Sequence, residues 1–214
     1  MLVNISLTRS SGSRLIGFKS RADYYYGFFS AGIKLPVNYS AGVVVAFYWV
    51  LQTNLYGNGS VGTGREERFH FWFDPAATFH EYSIIWNHRH IRRHGRASRG
   101  PMSLYATIWD GSAWATRGGT RPVDYAYAPF VASFAALEME GCARRALAAF
   151  RCSASGSALS MGGTLELSPP QRAAMERARG RFMFYSYCRD GARYSVMPPE
   201  CGEGKRRLSS RHNK

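Results

Sequence analysis

The sequence predicts an all-β sandwich. Three observations carry that expectation: short runs of strand-forming residues, turn residues between them, and little helix. The runs are Tyr24 to Lys34, Glu67 to Phe73, Glu81 to Trp86, Met102 to Trp109 and Phe130 to Met139. Asp74-Pro75 ends the second and Asp110-Gly111 the fourth, and both dipeptides favour turns. With 214 residues and 45% hydrophobic content the chain can bury a sizeable core as one β domain. Its 13 Tyr, 13 Phe and 5 Trp favour strands. Most of these rings are expected in the core, with a minority left to stack on sugar rings.

Taken in order, Tyr24 to Lys34 sets Gly27 and Gly32 among aromatics. Ala41 to Tyr56 has no turn residue inside it. An average strand is about 5–6 residues, so this stretch reads as two strands fused at Tyr48/Trp49. Glu67 to Phe73 alternates charged or polar residues with aromatic ones, a period-2 pattern. Arg89 to Gly100, rich in Arg, His, Gly and Ser, has no apolar period and no way into a core. Ser153 to Gly163 reads as a loop. One helix is expected, over Arg172 to Arg179. Ser168 is its cap, Pro169 and Pro170 lie in the first turn, and Gln171 stands three residues after the cap. An aromatic strand, Phe182 to Tyr187, follows.

Lys+Arg 28 against Asp+Glu 14 gives a net charge of +14. Such a field attracts polyanions without naming one. Much of the excess lies in Arg89 to Arg99 and in the tail from Lys205 to Lys214, which reads as solvated. The basic run has the charge to hold phosphate, but no nucleic-acid fold signature accompanies it. His88, His90 and His94 lack nearby acids or cysteines to complete a metal site. Gly62-Thr63-Gly64 is followed by neither a helix nor Lys-Ser/Thr, so it is no P-loop. No cofactor is implied. The longest apolar run, Val43 to Leu51, is too short to cross a bilayer.

Four cysteines, Cys142, Cys152, Cys188 and Cys201, form no CxxC pair. That argues against zinc and thioredoxin chemistry and fits two disulfides in an oxidising compartment. Pairing in sequence order is one of three possible connectivities. The triplets Asn4-Ile5-Ser6, Asn38-Tyr39-Ser40 and Asn58-Gly59-Ser60 are N-glycosylation sequons, of which Asn58 is the expected site. The residues from Met1 do not read as a signal peptide, in tension with what the cysteines imply.

Several strings, in one order along nearly the whole chain, resemble a known family. They include Ala41-Gly42-Val43, Leu51-Gln52-Thr53-Asn54, Gly64-Arg65-Glu66-Glu67, Phe71-Trp72-Phe73-Asp74-Pro75, Ile108-Trp109-Asp110-Gly111-Ser112 and Ala128-Pro129-Phe130-Val131. Tyr185-Ser186-Tyr187-Cys188 and Met197-Pro198-Pro199-Glu200-Cys201 continue the series. The chain is similar to the plant xyloglucan endotransglucosylases/hydrolases of glycoside hydrolase family sixteen. The resemblance implies a concanavalin A-like jelly-roll β-sandwich whose concave face holds a glucan. It also implies a C-terminal extension with one short helix and two disulfides, Cys142–Cys152 and Cys188–Cys201. The implied organisation is a truncated jelly roll over 1–134, the extension over 135–204 and a basic tail over 205–214.

In that family a strand reading His-Asp-Glu-Ile-Asp-hydrophobic-Glu carries the catalysis, between the equivalents of Tyr48 and Trp49. Side chains at i, i+2 and i+4 of a strand share a face, so its three acids line the cleft together. Here no Asp or Glu occurs between Asp23 and Glu66. Glu66-Glu67 point to opposite faces, and Glu138-Met139-Glu140 stands outside the motif position and reads as a solvent-facing strand edge. A second loss coincides with Arg89 to Gly100, where the family has another strand and loop. No catalytic residue is therefore assigned. The resemblance places substrate contacts at Gln52, Thr53, Asn54, Arg65, Glu66, Trp114, Gly118 and Arg193, and Trp109 and Tyr48 add ring platforms.

The expected function is that of a monomeric, secreted cell-wall protein of this family, with xyloglucan or a related β-glucan as partner. The family's retaining cleavage and religation is expected to be lost. The alternatives are a non-catalytic, lectin-like glucan binder, a basic protein meeting anionic polymers non-specifically, and an incomplete gene product. Neither a specific nucleic acid nor a membrane is expected as partner.

Overall fold

The computed structural model describes residues 1–11, 15–45, 50–56, 64–86, 101–143, 167–194 and 196–202. Among the described residues ten strands run in chain order as β1 (Leu2–Leu7), β2 (Ile16–Lys19), β3 (Tyr24–Lys34), β4 (Val43–Val45), β5 (Val50–Tyr56), β6 (Gly64–His70), β7 (His80–Trp86), β8 (Tyr105–Asp110), β9 (Phe130–Ala143) and β10 (Met183–Ser186). A short helix α1 (Ala115–Gly119) follows β8, and α2 (Pro169–Arg181) precedes β10. All pairings are antiparallel. One sheet has the order β1-β9-β3-β7, a second β2-β8-β4, and a third β10-β6-β5. This is an all-β sandwich with one substantial helix, as expected of a jelly roll with a C-terminal extension.

The core lies between the first two sheets. Ile5 and Leu7 of β1, Ile33 of β3 and Phe130, Ala132 and Phe134 of β9 face Val43 and Val45 of β4 and Ile108 of β8. The alternation is the cause: on β9 residues 130, 132 and 134 are buried and those between are not. Gly42, with φ +78, opens β4, and a Cβ there would lie 2.7 Å from the Val123 nitrogen. Only glycine meets both conditions.

The turn-free stretch Ala41 to Tyr56 is indeed not one strand. Its halves, β4 and β5, belong to different sheets; among the described residues β4 pairs only with β8 and β5 only with β6. Residues 46–49, and with them Tyr48/Trp49, lie outside the described residues. So does the run from Arg89 to Arg99 with its three histidines.

The helix begins as its sequence indicates. Ser168 Oγ accepts from the Gln171 N–H, while Gln171 Oε1 accepts from the Ser168 N–H. Three strand bounds differ from expectation. β9 continues to Ala143 rather than ending at Met139, because its ladder with β3 extends to Tyr24↔Ala143. β6 runs over residues 64–70 rather than 67–73, because its ladder with β5 spans Tyr56↔Gly64 to Val50↔His70. Beyond it the His70 N–H turns to the Phe182 carbonyl, and the chain bends. β8 starts at Tyr105, and Met102 forms only an isolated bridge with Tyr24. The rings also distribute differently. Among the described residues Phe29, Trp86, Phe130, Phe134 and Tyr187 are buried, but Tyr39, Tyr56, Trp72, Phe79, Tyr105, Trp114, Tyr127 and Phe184 are exposed. Of these exposed rings Tyr56 and Phe184 lie on the sheet β10-β6-β5, none of whose described residues belongs to the central core.

Candidate functional site

Register sets which side chains of the third sheet share a face. Gln52 stands opposite Arg68, Asn54 opposite Glu66 and Tyr56 opposite Gly64. Directly paired residues project to one side, so Gln52, Asn54, Glu66 and Arg68 line one face. Thr53, opposite Glu67, and Arg65, opposite Leu55, line the other.

Glu66 is the centre of the first face. It is 4% exposed, and its carboxylate is fully engaged. Oε1 accepts from Arg68 Nε at 2.5 Å, and Oε2 accepts from Arg193 Nη1 at 2.6 Å. Arg193 Nη1 also donates to Tyr185 Oη at 3.1 Å, and the Tyr185 hydroxyl donates to Asp190 Oδ2 at 2.7 Å. The Arg68 guanidinium lies over the Tyr185 ring, 4.7 Å from its centroid. Hydrogen bonds to Glu66 and then Tyr185 hold Arg193 protonated even more firmly than an ordinary arginine. Hydrogen bonding by the Tyr185 hydroxyl keeps the Asp190 carboxyl below the usual carboxylate range. Asn54 donates from Nδ2 to Tyr56 Oη at 3.0 Å, while its Oδ1 is buried without a hydrogen-bond partner. A Cβ on Gly64 would lie 2.8 Å from both Asn54 Oδ1 and Arg193 Nη2. Glycine is what lets strand and arginine approach so closely.

The opposite face is held by the same C-terminal loop. Arg65 Nε donates to Glu200 Oε1 at 2.7 Å, and the Tyr187 hydroxyl donates to the same oxygen at 3.3 Å. Burial first, then the Glu200 charge and hydrogen bond, push the Tyr187 phenol far above its ordinary value. Tyr194 donates its hydroxyl to the Gly64 carbonyl. The Cys188–Cys201 disulfide, with Cα atoms 5.3 Å apart, closes this loop. Cys142 is disulfide-bonded as well; Cys152, expected as its partner, lies outside the described residues, as does Asn58.

Trp109, Trp114 and Gly118 are built on the second sheet instead. Trp109 pairs with Val44 and is half-buried. Asp110, which ends β8, organises the turn after it. Its Oδ1 accepts from the Ser112 N–H at 2.8 Å and from the Ser112 hydroxyl, and its Oδ2 from the Tyr125 hydroxyl at 2.8 Å. Burial opposes ionisation of Asp110, yet these three hydrogen bonds outweigh it and lower its pKa. Burial and the Asp110 partner push Tyr125 up to about 12. Trp114 follows as the residue before α1, half exposed, and Gly118 is exposed at φ +80.

The sequence placed Gln52, Asn54, Glu66 and Arg193 in one site, and the structure puts them on or against one face of one sheet. It adds Arg68, Tyr185 and Asp190. The Glu66/Arg68 pairing was readable from their i, i+2 spacing on a strand; nothing local marked Tyr185 or Asp190 as its partners. Among the described residues no group of three or more His, Cys, Asp or Glu is placed to hold a metal.

The profile of Glycosyl hydrolases family 16 matches residues 1–52 and 49–127, and that of the Xyloglucan endo-transglycosylase (XET) C-terminus matches residues 154–201. "Probable xyloglucan endotransglucosylase/hydrolase protein 27" of Arabidopsis thaliana is 42% identical over 93% of this chain and 72% of its own length. The chain belongs to the xyloglucan endotransglucosylase/hydrolase family. "Probable xyloglucan endotransglucosylase/hydrolase protein 30" of Arabidopsis thaliana is 41% identical over 93% of the chain and 70% of its own length. "Xyloglucan endotransglucosylase protein 2" of Diospyros kaki is 32% identical over 93% and 79%. The match to protein 27 extends over 241 positions, whereas 93% of 214 residues is about 199. At about 42 positions this family member therefore has no residue where its relative has one.

Proposed function

We propose that this xyloglucan endotransglucosylase/hydrolase relative binds a neutral β-1,4-glucan of the xyloglucan type and does not cleave it. One observation carries the proposal. Glu66, the first acid after Asp23, is buried with both carboxylate oxygens held by guanidiniums. Retaining glycosidases need two carboxyl groups about 5–5.5 Å apart, one of them free to attack the anomeric carbon. A carboxylate clamped by Arg68 and Arg193 is a positioning group, not a nucleophile. The remaining inventory suits recognition: the Gln52 and Asn54 amides and the outer edge of Arg193 meet hydroxyls, and Trp114 offers a ring to a sugar face. Trp109 and Gly118 add to the contacts, whereas Thr53 and Arg65 lie on the opposite face of the third sheet, where Arg65 holds Glu200.

The protein acts as a monomer outside the cell, in the wall, where disulfides such as Cys188–Cys201 persist. The test is paired. Purified protein incubated with xyloglucan is expected to release no reducing ends and transfer nothing to labelled oligosaccharides, yet to be retained on a xyloglucan gel. Turnover that is lost on Glu66→Gln overturns the proposal, and so does absence of retention.

A second reading has its own support. The two strands flanking 46–49 sit in different sheets, and the chain is about 42 positions shorter than protein 27 over their match. Both fit a complete gene product that carries a further strand between Tyr48 and Trp49. Sequencing the transcript across those codons decides between the two.

A further inference from the structure

The geometry points to Asn38 as an N-glycosylation site whose first sugar packs on the exposed rings of Tyr39 and Tyr127. Asn38-Tyr39-Ser40 is an acceptor triplet in the connection between β3 and β4. Leu35 is buried and anchors the start of this connection, while Asn38 itself is exposed with φ +68. That left-handed conformation suits a short polar side chain at a turn. The Val43 N–H bonds the Ser40 carbonyl at 3.1 Å and closes the segment against the next strand.

The alternative triplets differ. Asn4 sits within β1 and pairs with Ser133 in the ladder; Asn58 is not among the described residues.

What surrounds Asn38 is an independent observation. Val37 is 53% exposed, Tyr39 43% and Tyr127 50%; the first two flank Asn38 in sequence and Tyr127 packs against Tyr39. The rings of Tyr39 and Tyr127 lie 5.5 Å apart at 44°, a shallow aromatic wedge. Tyr127 is firmly mounted, in a turn over Tyr125–Tyr127 whose cap Asp124 accepts from the Ala126 N–H. Exposed apolar clusters usually mark something that covers them. An N-acetylhexosamine on Asn38 Nδ2 would start beside this wedge and present its C–H face to it.

The chemistry balances with a lipid pyrophosphate-linked oligosaccharide as donor. Asn38 Nδ2 forms the bond to the anomeric carbon, and the carbon–oxygen bond to pyrophosphate breaks with its electron pair on the leaving group. The amide loses one proton, and nothing is oxidised or reduced.

This inference shares with the proposed function only the secretory route, so the experiment fixes that route. The full chain is expressed behind a secretion leader in plant or yeast cells and recovered from the medium. It is then deglycosylated by amidase in heavy-oxygen water, and its peptides are weighed. The expected result is Asn38 converted to heavy-labelled Asp, with the label lost in Ser40→Ala and the Asn4 and Asn58 peptides unchanged by that substitution. An unmodified Asn38 peptide from secreted protein with Cys188–Cys201 oxidised overturns the site, whatever the protein's glucan affinity. The packing is read by tyrosine nitration: Tyr39 and Tyr127 should react more after glycan removal than before. Equal reaction before and after overturns the packing.

Discussion

Glu66 and Arg193 lie 127 residues apart in sequence and 2.6 Å apart, Oε2 to Nη1. Their neighbours repeat the relationship on the other side of the strand, where Arg65 reaches Glu200 at 2.7 Å. Arg65 and Glu66 are consecutive on β6 and so face opposite ways, yet both partners come from the one loop closed by Cys188–Cys201. The loop grips the start of β6 from both faces, and the Tyr194 bond to the Gly64 carbonyl holds its end. Arg193, a proposed glucan contact, is thus fixed by a clamp on its side chain as well as by its backbone N–H, which bonds Asp190.

The costs of removing the two partners should not add. Arg193→Ala leaves Glu66 buried with Arg68 alone, and a charged hydrogen bond of this kind is worth about 1.5–3 kcal/mol. Glu66→Gln should cost a similar amount, and the double variant less than the sum of the two. Thermal unfolding of the four proteins in the cycle checks this; strict additivity counts against the clamp.

Reduction should loosen the same clamp. Cys188 and Cys201 are 13 residues apart, and a loop of about 15 residues gains about 3 kcal/mol from its cross-link in the chain-entropy account. The Cys188→Ser/Cys201→Ser variant should shift the urea midpoint down by a corresponding amount and weaken retention on a glucan gel. An unchanged midpoint would mean that the ion pairs hold the loop unaided.

The fold should be bounded by pH on both sides. Burial pushes the Tyr82 phenol up to about 12, and burial with the Asp110 partner does the same for Tyr125. An unfolded tyrosine titrates near about 10. Between those values the folded state holds more protons than the unfolded, so stability is complete below about pH 10 and falls as pH rises through about 12. Asp110 works in the other direction. Its carboxyl lies below its unfolded value of about 3.9, so its contribution is present above that pH and lost as pH falls through the folded pKa. Tyr125→Phe should weaken both dependences at once, read from melting temperature against pH.

How much of this was legible depends on the range of each interaction. The helix start was readable because Ser168, Pro169, Pro170 and Gln171 carry its whole capping box within four consecutive positions. The β4/β5 division was readable because the turn-free run from Ala41 to Tyr56 far exceeds an average strand of about 5–6 residues, although β9 runs to 14. The bounds of β6 were not, since its register is set by β5 and the turn residues beyond Phe73 marked only the end of an aromatic run. The exposed rings were misplaced because composition does not tell which connection or strand face a ring falls on. Tyr185 and Glu200 were not marked as site residues because Arg68 and Arg65, their contacts on β6, stand far away in sequence, and Asp190 because it joins the site only through Tyr185 and Arg193.

Trp114→Ala should reduce retention on a xyloglucan gel while leaving the melting temperature nearly unchanged. The ring is half exposed, and the turn that mounts it is held by the hydrogen bonds of Ser112 to Asp110. An aromatic contact of this kind contributes about 0.5–1.5 kcal/mol, or severalfold in affinity. A lowered melting temperature with unchanged retention would assign the ring to packing instead.

The strands on either side of residues 46–49 make the most demanding prediction. β4 is paired through Val43↔Asp110, Val44↔Trp109 and Val45↔Ile108, and β5 through Val50↔His70 to Tyr56↔Gly64. Among the described residues neither has a ladder on its other edge, although Val43, Val44 and Val45 are all at most 5% exposed. A buried backbone donor or acceptor left unpaired costs about 1–3 kcal/mol, against a total stability of about 5–15 kcal/mol for an ordinary domain. An unpaired β-branched edge is also a template for association with another chain. The orders β2-β8-β4 and β5-β6-β10 can be joined into one larger sheet by a single strand laid between β4 and β5. Inserting a strand of the family's His-Asp-Glu-Ile-Asp-hydrophobic-Glu type after Tyr48 should therefore raise soluble yield and the melting temperature together, and unfolding should sharpen as the two half-sheets couple. If the chain as it stands is equally soluble and melts as cooperatively at the same temperature, the two edges are already satisfied and no strand is missing between them.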